Sequence, residues 1–186
     1  MTGLRIIAGS LKGRKLSTPT WDGLRPTSDK LRETLFNVVA AQVGEARLLD
    51  GFAGTGAVGI EALSRGAAHV TFAESDPRAL ALIGRNLQHC AVSDRYAIIR
   101  ARFADAARRL PPASFELIFL DPPYAPDVIV SSLEAAAPLV APGGVLILEH
   151  ARRDAAPASV VSLAKTRDIM SGDSALSMYQ AALPSA

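Results

Sequence analysis

The sequence predicts an α/β fold: a doubly wound, mostly parallel sheet of seven strands, closed by an antiparallel C-terminal pair and preceded by an N-terminal β-hairpin extension. Three observations predict it. Short apolar segments alternate with helical ones from residue 46 to residue 150. A glycine-rich loop, "DGFAGTGAVG", follows the first of them. The last segment then breaks the alternation, which calls for neighbouring strands without a crossover helix.

Residues 4–16, "LRIIAGSLKGRKL", read as two short strands about a glycine-punctuated turn, with a basic exposed face. "TPTWDGLRPT" is a loop broken by Pro19, Gly23 and Pro26. From Asp29 the apolar residues Leu31, Leu35, Val38 and Val39 share one helical face. Asp29 and Glu33 lie near the helix start, where the dipole favours acids, so a helix is predicted to about Gln42. Strands are predicted at 46–52, 69–74, 96–101, 116–121 and 144–150, with helices near 57–65, 77–89, 104–110 and 127–140. "SVVSLAKTRDIM", the turn "SGDS" and "ALSMYQAAL" then read as two antiparallel strands.

At 186 residues, 49% of them hydrophobic, the chain is expected to fold as one domain, with 1–28 as the extension and 29–186 as the sheet and its helices. No stretch suits a signal peptide or reaches the ~20 apolar residues of a membrane span, so a cytoplasmic protein without a membrane partner is expected. Cys90 is the lone cysteine and reads as a packed thiol; His69, His89 and His150 show no metal-ligand spacing with it, so no metal is expected. The net charge is +2, yet residues 1–32 alone carry +5. That asymmetry fits either a phosphate-rich partner or a solvated basic surface.

Gly54, Gly56 and Gly59 satisfy G-x-G-x-x-G, and the acid Glu74 follows twenty residues after Gly54. A loop of this kind brings backbone N–H groups and a helix N-terminus to the carboxyl edge of the sheet, while an acid ending the second strand can bond both ribose hydroxyls. The pattern therefore identifies an adenosine-bearing ligand and does not separate NAD from S-adenosylmethionine. Asp50 within the loop would repel a pyrophosphate and attract an ammonium and a sulfonium; alternatively it bonds local backbone N–H groups. The antiparallel closing strands also fit a seven-stranded methyltransferase sheet better than the six parallel strands of a dinucleotide domain.

The fourth strand ends in "DPPY", Asp121-Pro122-Pro123-Tyr124. Two prolines fix φ and remove both donors, which leaves the Pro122 carbonyl as an acceptor on a rigid turn. An exocyclic base amine is a poor nucleophile because its lone pair is delocalised. If Asp121 and the Pro122 carbonyl each accept one N–H, that lone pair is freed to meet a methyl group in line, while Tyr124 stacks on the base. The plainer alternative is a proline-terminated strand with Asp121 capping it.

These segments resemble the bacterial guanine-N2 methyltransferases of 16S ribosomal RNA. The likeness spans nearly the whole chain through "RIIAGSLKGRKL", "RPTSDKLRETLFN", "LLDGFAGTGAVGIEALSRGA", "FAESD", "FLDPPY" and "GDSALSMY". It implies a Rossmann-like class I fold with S-adenosylmethionine as methyl donor. Asp50, Gly51, Phe52, Gly54 and Gly56 would lie around the donor's methionine end, with Glu74 on the ribose and Ser75, Phe103 and Asp105 near adenine. Thr27 and Arg32 would touch the ligand or order a lid, and Asp121 to Tyr124 would hold the guanine. RNA phosphates would meet Arg5, Lys12, Arg14, Lys15 and Arg25. The partner implied is 16S ribosomal RNA, naked or within an assembled or partly assembled small subunit, met by a monomer. The family's late segment commonly follows an aromatic, where this chain has Met170 and Ser171. Rival readings are an adenine-N6 methyltransferase on RNA or DNA, a non-catalytic RNA-binding assembly factor and an NAD-dependent oxidoreductase.

Overall fold

A computed structural model describes residues 3–24 and 26–181. Ser28 caps the first helix, α1 (Asp29–Val38), through a hydrogen bond from the Leu31 N–H at 3.2 Å. The predicted single helix is broken at Val39, which leaves helical geometry with φ −98° and ψ 16°, and a four-residue helix, α2 (Ala40–Val43), follows. The β-branched pair Val38-Val39 accounts for the weak point.

The alternation then runs β1 (Arg47–Gly51), α3 (Ala57–Ser64), β2 (His69–Glu74), α4 (Pro77–His89), β3 (Tyr96–Arg100), α5 (Phe103–Ala107), β4 (Phe115–Leu120) and α6 (Pro126–Ala136). A 3-10 turn at Ala137–Leu139 leads into β5 (Val140–Ala151), longer than predicted at its start. The closing region holds β6 (Ser159–Val160), β7 (Leu163–Ser171) and β8 (Ser174–Ala181). All lie in one sheet of order β3-β2-β1-β4-β5-β8-β7-β6. Strands β1 to β5 pair in parallel, whereas β8 joins β5 antiparallel and β7 pairs antiparallel with β8.

Among the described residues the sheet has eight strands rather than seven. Exposed Val161 adopts φ +52°, which folds Ser159 and Val160 back on Leu163 and Ala164 and splits the predicted strand in two. The predicted N-terminal hairpin is reduced to one antiparallel bridge, Arg5 to Lys15, supported by the bonds Ile6 N–H to Arg14 and Leu16 N–H to Leu4.

Each face of the sheet is covered. Phe72, Phe119 and Ile147 pack under α1, α3 and the extension's Leu4, Ile6 and Leu16; Leu49, Ile118 and Leu146 pack under α5 and α6. The extension is fastened to α3 by the Ile7 and Ala8 N–H groups, which donate to Glu61 at 2.7 and 3.0 Å, and to α4 by Ser17 N–H on Asn86. Among the described residues, no helix is long and apolar enough to cross a membrane.

Candidate active site

At the carboxyl edge of the sheet the extension and four strand ends enclose a cavity of about 580 Å³. Its walls include Gly23, Leu24 and Pro26 to Ser28 on one side, Asp50 and Phe52 to Thr55 at the base, and Asp121 to Tyr124 with Glu149 opposite. Strands β2, β1, β4 and β5 are consecutive in the sheet, and each delivers one carboxylate: Glu74, Asp50, Asp121 and Glu149. Among the described residues, no lysine or arginine lines the cavity.

The glycine loop does the local shaping. Gly56 takes φ +75° as it starts α3, a left-handed conformation that a side chain resists. Gly59 lies so close to β2 that a Cβ there would meet the Phe72 ring at 2.2 Å. Its N–H donates to Asp50 Oδ2 at 2.9 Å, so the loop acid bonds backbone as well as facing the cavity. Phe52, also at positive φ (+64°), rests its ring 5.2 Å from that of Phe103.

Glu74 is held by three N–H groups: Gly54 on Oε2 at 2.9 Å, with Ser75 and Asp76 on Oε1 at 2.6 and 2.8 Å. Burial pushes the Asp50 carboxyl up to about 8, against the Gly59 bond and with help from the charge of Glu74. Asp121 is pushed well above the usual carboxylate range, first by burial and then by the charges of Glu149 and Asp50. Burial likewise raises Glu149, against the hydroxyls of Ser174 and Tyr124, which lie 3.1 and 3.4 Å from its Oε1. The four acids have no compensating cation in the described protein, so the site is complementary to a positively charged ligand.

The prolines shape the turn after β4. The Pro123 carbonyl accepts the Ala125 N–H at 2.7 Å, whereas among the described residues the Pro122 carbonyl accepts no hydrogen bond. Tyr124 stands 46% exposed at the cavity mouth, where its ring can meet a planar group entering from solvent.

Of the residues singled out from sequence, Thr27, Asp50, Phe52, Gly54, Glu74 and Asp121 to Tyr124 come together around the cavity. Gly51 and Gly56 shape its base without lining it, and Ser75 contributes its N–H to Glu74. Asp105 lies on α5, paired with Arg108, and does not line the cavity. Arg32 does not line it either: it is fully buried, bonding Asp29 at 2.6 Å, the Arg5 carbonyl at 2.8 Å and Glu61 at 3.5 Å. Arg5, Lys12, Arg14 and Lys15 are exposed on the extension, with Arg14 donating to the His89 carbonyl and Arg5 3.8 Å from Asp29. Arg25 lies outside the described residues. Glu149, Ser174 and Phe119 are among the wall residues that sequence reasoning missed; the signal for Glu149 is an acid directly after the apolar run "VLIL".

A protein-family model described as "Conserved hypothetical protein 95" matches residues 4–180. The chain is 34% identical over 184 residues to "Putative rRNA methyltransferase YlbH" of Bacillus subtilis, an alignment covering 95% of this chain and 98% of that protein. It is 42% identical over 125 residues to "Ribosomal RNA small subunit methyltransferase D" of Haemophilus influenzae, covering 65% of this chain and 64% of that one. Among solved structures, "Putative methyltransferase yhhF" of Escherichia coli superposes with a TM-score of 0.82 at 30% identity, covering 96% of this chain and 97% of the other. The chain belongs to the Conserved hypothetical protein 95 family, an rRNA small-subunit methyltransferase D-like family with the class I methyltransferase fold.

Proposed function

We propose that this protein transfers a methyl group from S-adenosylmethionine to the exocyclic N2 of one guanine in 16S ribosomal RNA. The observation that carries the cofactor reading is the cavity itself: four carboxylates, with no base among the described lining residues, favour a cationic adenosine ligand over a dinucleotide pyrophosphate. The two hydroxyls of a ribose can bond Glu74, and the Asp50 side of the loop faces the ligand's charged end.

When bound, S-adenosylmethionine supplies an electrophilic methyl group on a sulfonium. The protein's share is positioning and electrostatics. Asp121 and the Pro122 carbonyl accept the two N–H bonds of the target amine and so aim its lone pair. Asp121, enclosed beside Glu149 and Asp50, has the raised proton affinity needed to take the proton that N2 loses. Tyr124 stacks on the base. A base inside structured RNA has to be unstacked first, at roughly a few kcal/mol, so a hairpin-loop guanine is the easier target.

The names of the relatives support ribosomal RNA of the small subunit as substrate. The basic residues of the extension fit RNA phosphates, and a monomer acting in the cytoplasm on a partly assembled subunit completes the reading. The test is incubation with tritiated S-adenosylmethionine and small subunits lacking the modification, followed by mapping of the labelled base. Label on a single guanine is expected. Label on adenine, or on DNA in preference to RNA, overturns the guanine-N2 assignment, and absence of transfer with retained RNA binding favours an assembly factor.

A further inference from the structure

We infer that Glu149 selects guanine over adenine by accepting the ring N1–H of the target base while Asp121 accepts from its exocyclic amine. This rests on the guanine-N2 reading and deepens it.

Asp121 and the Pro122 carbonyl recognise an amine, and guanine, adenine and cytosine all carry one. Selection needs a group that reads the neighbouring ring atom. On the edge presented to the pocket, guanine offers two kinds of donor side by side, N1–H and N2–H; adenine offers N6–H beside a bare N1 lone pair. A second carboxylate next to the first is complementary to the guanine edge and repels the adenine one.

Glu149 occupies that place. The pairing of Leu120 with Leu148 brings the residues that follow, Asp121 and Glu149, level with each other at the ends of β4 and β5. Both line the cavity. Oε1 of Glu149 is occupied by the Ser174 and Tyr124 hydroxyls at 3.1 and 3.4 Å, which fix the carboxylate. Oε2 is buried, and among the described residues no donor hydrogen-bonds to it. A buried carboxylate oxygen without a donor is costly, and a base edge rich in N–H groups removes the deficit. In the ligand-free protein Glu149 strengthens the hold of Asp121 on a proton, whereas a hydrogen bond with Asp121 opposes the rise that burial gives Glu149.

The probe is 2-aminopurine, which keeps the exocyclic N2 amine but carries a bare N1. Small subunits are reconstituted from 16S RNA bearing either guanine or 2-aminopurine at the mapped position, and kcat/KM for methyl transfer is compared. The wild-type protein is expected to prefer guanine by about 100-fold or more. The Glu149→Gln variant, whose amide can turn an N–H toward N1, is expected to compress that preference below about 10-fold, both bases being compared at saturating S-adenosylmethionine so that a change in its affinity does not enter the ratio. A merely structural role for Glu149 would lower both rates together and leave their ratio unchanged, which overturns the inference. Equal wild-type rates on the two bases overturn it without recourse to any variant. If the wild type places no label on guanine N2, the guanine-N2 reading itself fails, an outcome distinct from equal rates.

Discussion

Glu61 and two of the cavity acids, Asp50 and Glu149, are all withdrawn from water, and the protein treats them in opposite ways. Glu61, fully buried on α3, meets Arg65 at 2.7 Å, Arg32 at 3.5 Å and the N–H groups of Ile7 and Ala8. Every lone pair it offers is directed at a donor from the chain. Among the described residues, Asp50 has one N–H bond, from Gly59, and no cation; Glu149 has two hydroxyls on one oxygen and no donor on the other. Burial with full compensation makes a joint in the framework, whereas burial with compensation withheld makes a place for something else to bind.

The largest expected break in this contrast is Asp121→Ala. It should lower methyl transfer by about 100- to 10,000-fold while S-adenosylmethionine still binds, measured by single-turnover labelling and calorimetry. Loss of binding together with activity would put Asp121 on the framework side. Glu61→Ala should do the reverse. It removes a carboxylate partner of buried Arg32 and half-buried Arg65 and unfastens the extension, at a cost of about 3–5 kcal/mol in urea unfolding. A loss of less than about 1 kcal/mol would mean that hydrophobic packing alone holds the extension.

A smaller effect is expected from Gly59→Ala, which forces a methyl group into the Phe72 ring and should cost about 1–3 kcal/mol by overpacking. Retained stability would mean that α3 can back away from β2.

Last comes pH. Asp50 ionises near 8 in the folded protein and near 3.8 by default, so folding favours its protonated form. The stability this confers is complete below about 3.8 and is lost as pH rises through about 8. The melting temperature of the ligand-free protein should therefore fall from pH 5 to pH 8, and Asp50→Asn should flatten that slope. The stabilisation by S-adenosylmethionine should grow over the same range, because its positive charge favours the ionised acids. A rise in melting temperature with pH that persists in Asp50→Asn would contradict the assignment.

Much of the site was legible because it is written locally. The spacing of Gly54, Gly56 and Gly59 and the run Asp121-Pro122-Pro123-Tyr124 each define a turn within a few covalent bonds, and the apolar alternation puts both turns at the same sheet edge. The placement of Glu149 beside Asp121 was not legible. It depends on the register Leu120 to Leu148 between strands separated by a helix, and nothing in a linear reading fixes that pairing. Arg32 has the opposite history: the resemblance assigns it to the ligand or a lid, but three acceptors at Asp29, Arg5 and Glu61 draw it inward. The eighth strand depends on a single residue, Val161, adopting a backbone conformation that its side chain disfavours.

The fastening of the extension also dictates an order of assembly during synthesis. Ile7 and Ala8 bond a residue 54 and 53 positions downstream, and Ser17 bonds one 69 positions downstream. During synthesis residues 4–17 therefore have no docking surface until α3 and α4 have followed them.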